Sequence, residues 1–314
     1  MSRSHVLLTR RLPAKALARL EETCDLEFLD GGALTSAELA ARVPGKHGLV
    51  TMFIDPVDAA VLAAATELKV VATVAVGYNN IDVAAARQRG IVVTNTPDVL
   101  TEATADLTMA ILLGMTRRIV EGDRLVRKGG WKGFSFDFML GSDLRGKQIG
   151  IVGLGRIGRA VAARAKAFGM RIAYTRGRPA PGDDAEAMPL DRLLATSDVV
   201  SLHCPLTADT KHMIDQPALA RMKRSAYLLN ASRGPIVDEA ALAWALENRL
   251  IAGAGLDVYE DEPKVHPGLL NLDNVVLVPH LGSATTETRT AMADLAAQNV
   301  VAVLSGKPPL TPVG

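Results

Sequence analysis

Aromatic side chains make up only 4% of the 314 residues, so the interior has to be filled by Ala, Val, Leu and Ile. Cysteine is nearly missing. Cys24 and Cys204 stand far apart with no companions at metal-ligand spacing, which fits a reducing compartment and argues against a structural zinc or other metal site. There is no charge surplus either: 35 Lys and Arg against 34 Asp and Glu leave a formal net charge of +1. That removes the electrostatic reason to expect nucleic acid or an anionic membrane as partner. No uncharged apolar run reaches the roughly 20 residues that span a bilayer. The opening MSRSHVLLTRR is interrupted by arginines before a secretory apolar segment can form. Internal repeats and low-complexity linkers are absent. The expectation is a cytoplasmic globular protein whose partners are small molecules.

What is present is ample core material, 48% hydrophobic against 22% charged, in a chain long enough for two domains. The most informative stretch is 148–175, QIGIVGLGRIGRAVAARAKAFGMRIAYT. An apolar run breaks at Gly153-Leu154-Gly155-Arg156-Ile157-Gly158. A helical pattern follows, and after Gly169 a second apolar run, Arg171 to Tyr174. Strand, glycine turn, helix, strand is the context that makes G-x-G-x-x-G a dinucleotide site. Gly153 permits the tight turn, Gly155 the approach of a pyrophosphate, and Gly158 the close packing of helix on strand. The helix N-terminus then presents unpaired N–H groups and a positive dipole end to the phosphates.

Before this stretch, β-like runs alternate with helical patterns. The runs are His5–Thr9, Leu26–Leu29, Gly48–Met52, Leu68–Val74 and Ile91–Thr94; the helices are Ala14–Glu22, Ser36–Val43, Pro56–Thr66 and Ile81–Arg89. Continuous apolar strands alternating with helices predict a parallel sheet covered on both faces. A long helix over Thr101–Arg118 leads into the second α/β unit. Between it and the glycine turn lies GGWKGFSFDF, 129–138, which concentrates three of the six Phe and one of the two Trp. This segment reads equally as a satellite cluster within the monomer or as a subunit interface, where aromatics are enriched. After the turn, runs at Val199–His203, Ala226–Asn230, Ala252–Leu256 and Val275–Val278 alternate with helices at Leu190–Ala195, Pro217–Met222 and Asp238–Asn248. Pro179–Glu186 reads as an acidic surface loop, Ala284–Leu304 as a terminal helix, and Pro308–Pro312 as a surface tail.

Three ionisable residues follow strands directly: Arg233 in NASRGP, Glu262 in DVYEDEP and His280 in VPHLGS. In open α/β sheets ligands bind beyond the carboxyl ends of strands, so all three project toward the rim that holds the glycine turn. Singly, each would pass for a solvated surface group. Together their types fit one reaction. Reduction of a carbonyl by hydride needs a proton donor, and His exchanges protons near neutrality. A carboxylate beside it orients the ring and favours its protonated form. An arginine holds a carboxylate in a fixed plane.

The GLGRIG turn, NASRG, GLDVYEDEP and PHLGSAT, in this order, resemble the D-isomer-specific 2-hydroxyacid dehydrogenases over nearly the whole chain, and within them most the glyoxylate/hydroxypyruvate reductase branch. The resemblance implies two parallel-sheet α/β domains, Rossmann-like and flavodoxin-like. The substrate domain would comprise 1–99 and 284–314, with the NAD(P)-binding domain, 100–283, inserted into it. It implies Arg233, Glu262 and His280 as the catalytic set. It implies substrate contacts from Phe53, from the main-chain N–H groups of Val76 and Gly77, and from Arg233 and His280. For the cofactor it implies Thr104, the turn residues Gly153, Leu154, Gly155, Arg156, Ile157 and Gly158, then His203, Cys204, Pro205, Ala231, Ser232, Asp257 and Gly282. Asp257 would meet the nicotinamide amide; the alternative is a structural hydrogen-bond acceptor. A thiol–imidazole pair at His203-Cys204 is disfavoured, because neighbours on a strand point to opposite faces. The resemblance also implies a homodimer and a small 2-oxo acid substrate such as glyoxylate or hydroxypyruvate. The alternatives are another D-2-hydroxyacid dehydrogenase, of D-lactate or 2-ketogluconate type, and a cofactor-sensing binding protein on the same fold.

An acidic residue about 20 positions after the fingerprint accepts ribose hydroxyls in NAD enzymes, whereas a nearby Arg accommodates a 2′-phosphate. Here that place holds Thr175, followed by Arg176, Gly177 and Arg178, with no carboxylate before Asp183. NADPH is therefore expected over NADH, with Thr175, Arg176 and Arg178 at the phosphate.

Overall fold

Short apolar strands and capped helices alternate through both halves of the computed structural model, which describes residues 3–29, 32, 34–178 and 184–314. The chain divides into two compact units, Met1–Leu100 with Ala284–Gly314, and Thr101–Ser283.

The first unit runs β1 (Ser4–Leu8), α1 (Ala14–Glu21), β2 (Cys24–Phe28), α2 (Ser36–Arg42), β3 (Gly48–Thr51), α3 (Ala59–Ala64), β4 (Val70–Thr73), α4 (Val83–Gln88) and β5 (Val92–Thr94). Its sheet has the order β2-β1-β3-β4-β5 with every neighbour parallel. Strands β3 and β4 are buried at every position, as a sheet covered on both faces requires. Helices begin where a short polar side chain can accept the first unpaired amides: Thr35 with Glu38 in a reciprocal capping box at α2, Asp58 at α3 and Asp82 at α4.

The second unit runs α5 (Thr101–Thr116), α6 (Ile119–Arg127), β6 (Gln148–Leu154), α7 (Arg156–Ala167), β7 (Arg171–Gly177), β8 (Ala185–Ala187), α8 (Leu190–Thr196), β9 (Val199–Leu202), α9 (Gln216–Arg221), β10 (Tyr227–Asn230), α10 (Glu239–Glu247), β11 (Gly253–Leu256) and β12 (Val275–Leu277). The sheet order is β12-β11-β10-β9-β6-β7-β8, again all parallel. Alternate residues feed two cores. Val152, Leu202, Leu228 and Leu256 pack on one face, and Ile149, Ile151, Leu229 and Val276 on the other. The chain reverses direction across the sheet between β6 and β9, which makes that edge of the glycine turn the topological switch point.

Helix α11 (Thr286–Leu304) belongs to the first unit, where Ala293, Ala296, Ala297 and Val300 pack with Val6, Leu8, Val50 and Val70. Its Asp294 pairs with Arg19 (2.8 Å) and Lys15 (3.0 Å) of α1. Burial raises the Asp294 pKa, and these two cations outweigh it and hold the carboxyl below its ordinary range.

Several expectations are corrected. The helix from Thr101 ends at Thr116, because Arg118 adopts a left-handed φ of 53° and α6 starts afresh at Ile119. A left-handed arginine carries none of the sequence signal that a glycine would. The acidic loop expected over Pro179–Glu186 lies outside the described residues as far as 183; its end instead forms β8, paired with β7. The tail Pro308–Pro312 does lie at the surface, with Pro308, Leu310 and Pro312 exposed, and is held to the sheet there: the Val313 amide donates to Val93 O (2.8 Å), and Thr311 Oγ1 to Asn95 O (2.6 Å). The aromatic segment 129–138 is not a satellite cluster of the monomer, since Phe134 and Phe136 are 88% and 92% exposed.

Candidate active site

The glycine turn is shaped by what a side chain would strike. Gly153 has φ 102°, and a Cβ there would stand 2.6 Å from the Cys204 amide nitrogen. A Cβ on Gly158 would collide with the Gly153 carbonyl oxygen. Gly155 differs: a Cβ there would meet nothing of the protein within 4 Å. Its missing side chain therefore leaves room for something other than this chain, directly at the N-terminus of α7, whose cap it forms. A pyrophosphate fits that cradle. Leu154 is buried, Arg156 exposed, and Ile157 packs on the core beneath the turn.

Neighbouring strands supply the flanks. Ser201 Oγ and His203 Nε2 are 2.7 Å apart, and among the described residues His203 Nδ1 is buried with no partner. Burial pushes the His203 pKa down to about 4. Burial pushes the Cys204 thiol up, with the Arg176 charge opposing it. Both groups are thus held neutral, which is the reverse of an activated thiolate–imidazolium pair. Arg176 sits at the end of β7, exposed and in a left-handed conformation (φ 57°). Thr175 is half-buried; Arg178 and Pro205 are exposed.

The strand-end residues come together. Buried Asn230 folds the loop after β10: its Oδ1 accepts from the Ser232 amide (3.1 Å), and its Nδ2 donates to Arg233 O (2.9 Å). Ser232 Oγ donates to Cys204 O (2.8 Å), which ties this loop to the glycine turn's neighbour, with half-buried Ala231 between the two anchors. Gly234 lies against the main chain of Tyr259, so closely that a Cβ would overlap its carbonyl. This approach brings Arg233 beside Glu262, and each charge favours the other. Burial lowers the Arg233 pKa, with Glu262 opposing it.

Glu262 Oε2 lies 2.9 Å from His280 Nδ1, and its Oε1 accepts from the Tyr259 amide (3.0 Å). Burial raises the Glu262 pKa, but the His280 hydrogen bond and charge, the Tyr259 amide and Arg233 outweigh it and hold the carboxyl below the usual range. His280 itself has φ 52°. Asp257 builds the turn that carries it. Its carbonyl accepts from the His280 amide (2.9 Å), and its carboxylate from the amides of Leu281 (2.5 Å) and Gly282 (2.8 Å). Burial pushes the Asp257 pKa up, against those amides and His280. Thr104 Oγ1 donates to Gly282 O (3.1 Å) and closes the cluster from α5. Both carboxylate oxygens of Asp257 accept a main-chain amide, and the residue is 1% exposed.

In the first unit, Phe53 follows β3 in a turn held by buried Asp55, whose Oδ2 accepts from the Met52 amide (2.9 Å) and Thr9 Oγ1 (2.5 Å). Val76 and Gly77 follow β4, and the Val76 carbonyl accepts from Asn95 Nδ2 (2.8 Å). Residues overlooked in the sequence are Asn230, Tyr259 and Glu239. Each acts through its main-chain surroundings, which a one-dimensional pattern does not display. Among the described residues, no group of three or more His, Cys, Asp or Glu is placed to hold a metal ion, and no helix is long and apolar enough to cross a membrane.

The chain is similar to known proteins over nearly its whole length. The family model of the D-isomer specific 2-hydroxyacid dehydrogenase NAD binding domain matches residues 109–282. Glyoxylate reductase of Korarchaeum cryptofilum (strain OPF8) is 49% identical over 312 residues, 97% of this chain and 94% of its own length. A crystal structure of a protein from Thermus thermophilus has a TM-score of 0.94 at 48% identity, covering 99% of this chain and 100% of that one. The NADPH-dependent glyoxylate/hydroxypyruvate reductase of Sinorhizobium meliloti, solved with NADP and malonate, has a TM-score of 0.90 at 38% identity, covering 100% of this chain and 97% of that one.

Proposed function

Because the chain belongs to the D-isomer specific 2-hydroxyacid dehydrogenases, in their glyoxylate reductase branch, we propose that it reduces glyoxylate and hydroxypyruvate to the 2-hydroxy acids, D where chiral, using NADPH. The observation that carries the chemistry is the His280–Glu262 pair, with Arg233 acting on the same carboxylate. Bound at the glycine turn, the nicotinamide cofactor supplies the hydride for the carbonyl carbon. Arg233 holds the 2-oxo acid, and the amides of Val76 and Gly77 receive its carboxylate. His280, its Nδ1 engaged by Glu262, delivers the proton to the carbonyl oxygen from Nε2. Glu262 stays ionised and stabilises the imidazolium.

Thr175, Arg176 and Arg178 support NADPH. Arg176 and Arg178 follow Thr175 at the end of β7 and there is no carboxylate at 175, so a 2′-phosphate there gains charge-assisted hydrogen bonds without repulsion. Thr175→Asp combined with Arg176→Ala removes the attraction and adds a like-charge contact, which costs several kcal/mol. The expected result is inversion of the NADPH to NADH ratio of kcat/KM, measured with glyoxylate and hydroxypyruvate. A wild-type protein that already prefers NADH would overturn the reading.

The homodimer rests on α6 and the aromatic segment behind it. No residue of α6 is buried, Ile119 and Val126 are exposed, and Phe134, Phe136 and Leu140 continue the apolar surface. A patch of that kind marks an interaction site. Phe134→Ser with Phe136→Ser should shift the protein from dimer to monomer in analytical ultracentrifugation, and an unchanged sedimentation coefficient would exclude the segment from the interface. Cys24 and Cys204 are both buried free thiols, which supports the cytoplasm as its place.

A further inference from the structure

We infer that Glu239, at the start of α10, is a positioning residue that sets Glu262 against His280; the inference rests on the proposed roles of that pair. Glu239 is only 5% exposed. Its Oε1 accepts from the Glu260 amide (2.5 Å) and its Oε2 from the His266 amide (3.0 Å). One carboxylate therefore clamps both ends of the segment 260–266, on which Glu262 is carried. The segment's other side-chain anchors are Glu260 on His212 and Glu262 on His280. Glu260, Asp261, Pro263 and Lys264 are exposed, and Val265 is the member that packs on the core. Inside it, the Lys264 amide closes a turn on Asp261 O (2.8 Å), and Glu262 reaches back to the Tyr259 amide. These bonds shape the segment, whereas those of Glu239 locate it on the body of the unit.

The carboxylate is suited to this because it is acceptor-only, with two oxygens for two N–H donors. Its place in the first turn of α10, beside the cap Asp238, adds a favourable dipole end. A leucine or glutamine of similar size would leave at least one amide of the segment without an acceptor. The charged and titratable neighbours are few. Glu260 pairs with His212 (2.5 Å), and the Tyr259 hydroxyl donates to Val278 O (2.9 Å). Burial, followed by the charges of Asp257, Glu239 and Glu262, raises the Tyr259 pKa, so that phenol stays protonated. On the far side of the segment, Glu262 faces His280, Arg233 and, more remotely, Asp257.

Glu239→Gln tests this. The amide side chain keeps the volume but turns an N–H donor toward one backbone donor, so the segment loses one anchor. A misplacement of about 1 Å at reacting groups costs about 10²-fold. The expected result is a fall in kcat of that order with the KM for NADPH unchanged, and the same change in the pH dependence of reduction as in Glu262→Gln. Combined with Glu262→Gln, the substitution should cost little more than Glu262→Gln alone, because both act through one carboxylate. Wild-type kcat and pH profile in Glu239→Gln, or losses that multiply independently in the double variant, would overturn the inference. If Glu262→Gln alone left turnover unchanged, the catalytic reading would be what failed. Should Glu239→Gln not fold, His266→Pro removes one donor at a residue whose φ is already −56°. It should lower kcat in the same Glu262-dependent way, and an unchanged kcat would again overturn the inference.

Discussion

Replacing His280 by alanine should lower the turnover of 2-oxo acids about 10²–10⁴-fold, the range that one positioned general acid contributes. Cofactor affinity should stay nearly intact, because the glycine turn and α7 keep their own hydrogen bonds and packing. The geometry gives the direction of the pH dependence as well. Glu262 is held below the ordinary carboxylate range by its bond to His280, the Tyr259 amide and Arg233, against the effect of burial. It is thus ionised throughout the neutral range. Reduction consumes a proton, so kcat for reduction should fall as pH rises through the loss of that proton, while alcohol oxidation should rise. Glu262→Gln removes the carboxylate bonded to the ring, and the pH dependence of reduction should change with it. Initial rates with NADPH across about pH 5–10 check both statements. Near-normal turnover in the alanine variant would remove His280 from the role.

Arg233→Lys is the second large effect. The guanidinium is enclosed, its NH1 donates to Ser232 O (2.7 Å), and it lies against Glu262, so it is held in one orientation. Lysine keeps the charge but has neither the planar fork nor the second row of donors. It would place a point charge on a flexible stem where two aligned bonds are needed, and about 10²-fold in kcat/KM should be lost through misorientation. The loss should fall on substrates with a carboxylate. Pyruvate and acetaldehyde make the comparison: the wild-type enzyme should reduce the acid far better than the aldehyde, and Arg233→Lys should narrow that gap. Equal rates for acid and aldehyde in the wild-type protein would overturn the anchoring role of Arg233 and of the Val76 and Gly77 amides.

The chemistry of this protein was legible wherever a residue type is demanded by its immediate chain neighbours. The turn at 153–158 announces itself because close backbone approach admits only glycine at Gly153 and Gly158, while a Cβ on Gly155 would meet open space at the start of α7. Arg233 and His280 were legible as a pair of rim residues because each comes soon after an apolar run, and parallel strands deliver their following residues to one rim; Glu262, six residues past β11, reaches them through the fold of its segment. The strands other than β8 and the helices other than α6 were legible from periodicity and capping, with ends displaced by up to about three residues where fraying and caps decide. Only the tertiary structure decided the rest. Arg118 breaks a helix by turning left-handed, with no glycine or proline to give notice. The Phe134 and Phe136 rings stand uncovered although they read equally well as core. Asp257 spends its carboxylate on the Leu281 and Gly282 amides, and Glu239 spends its own on those of Glu260 and His266. A buried carboxylate whose partners are backbone N–H groups leaves no trace in residue identity, because every residue except proline carries the same donor.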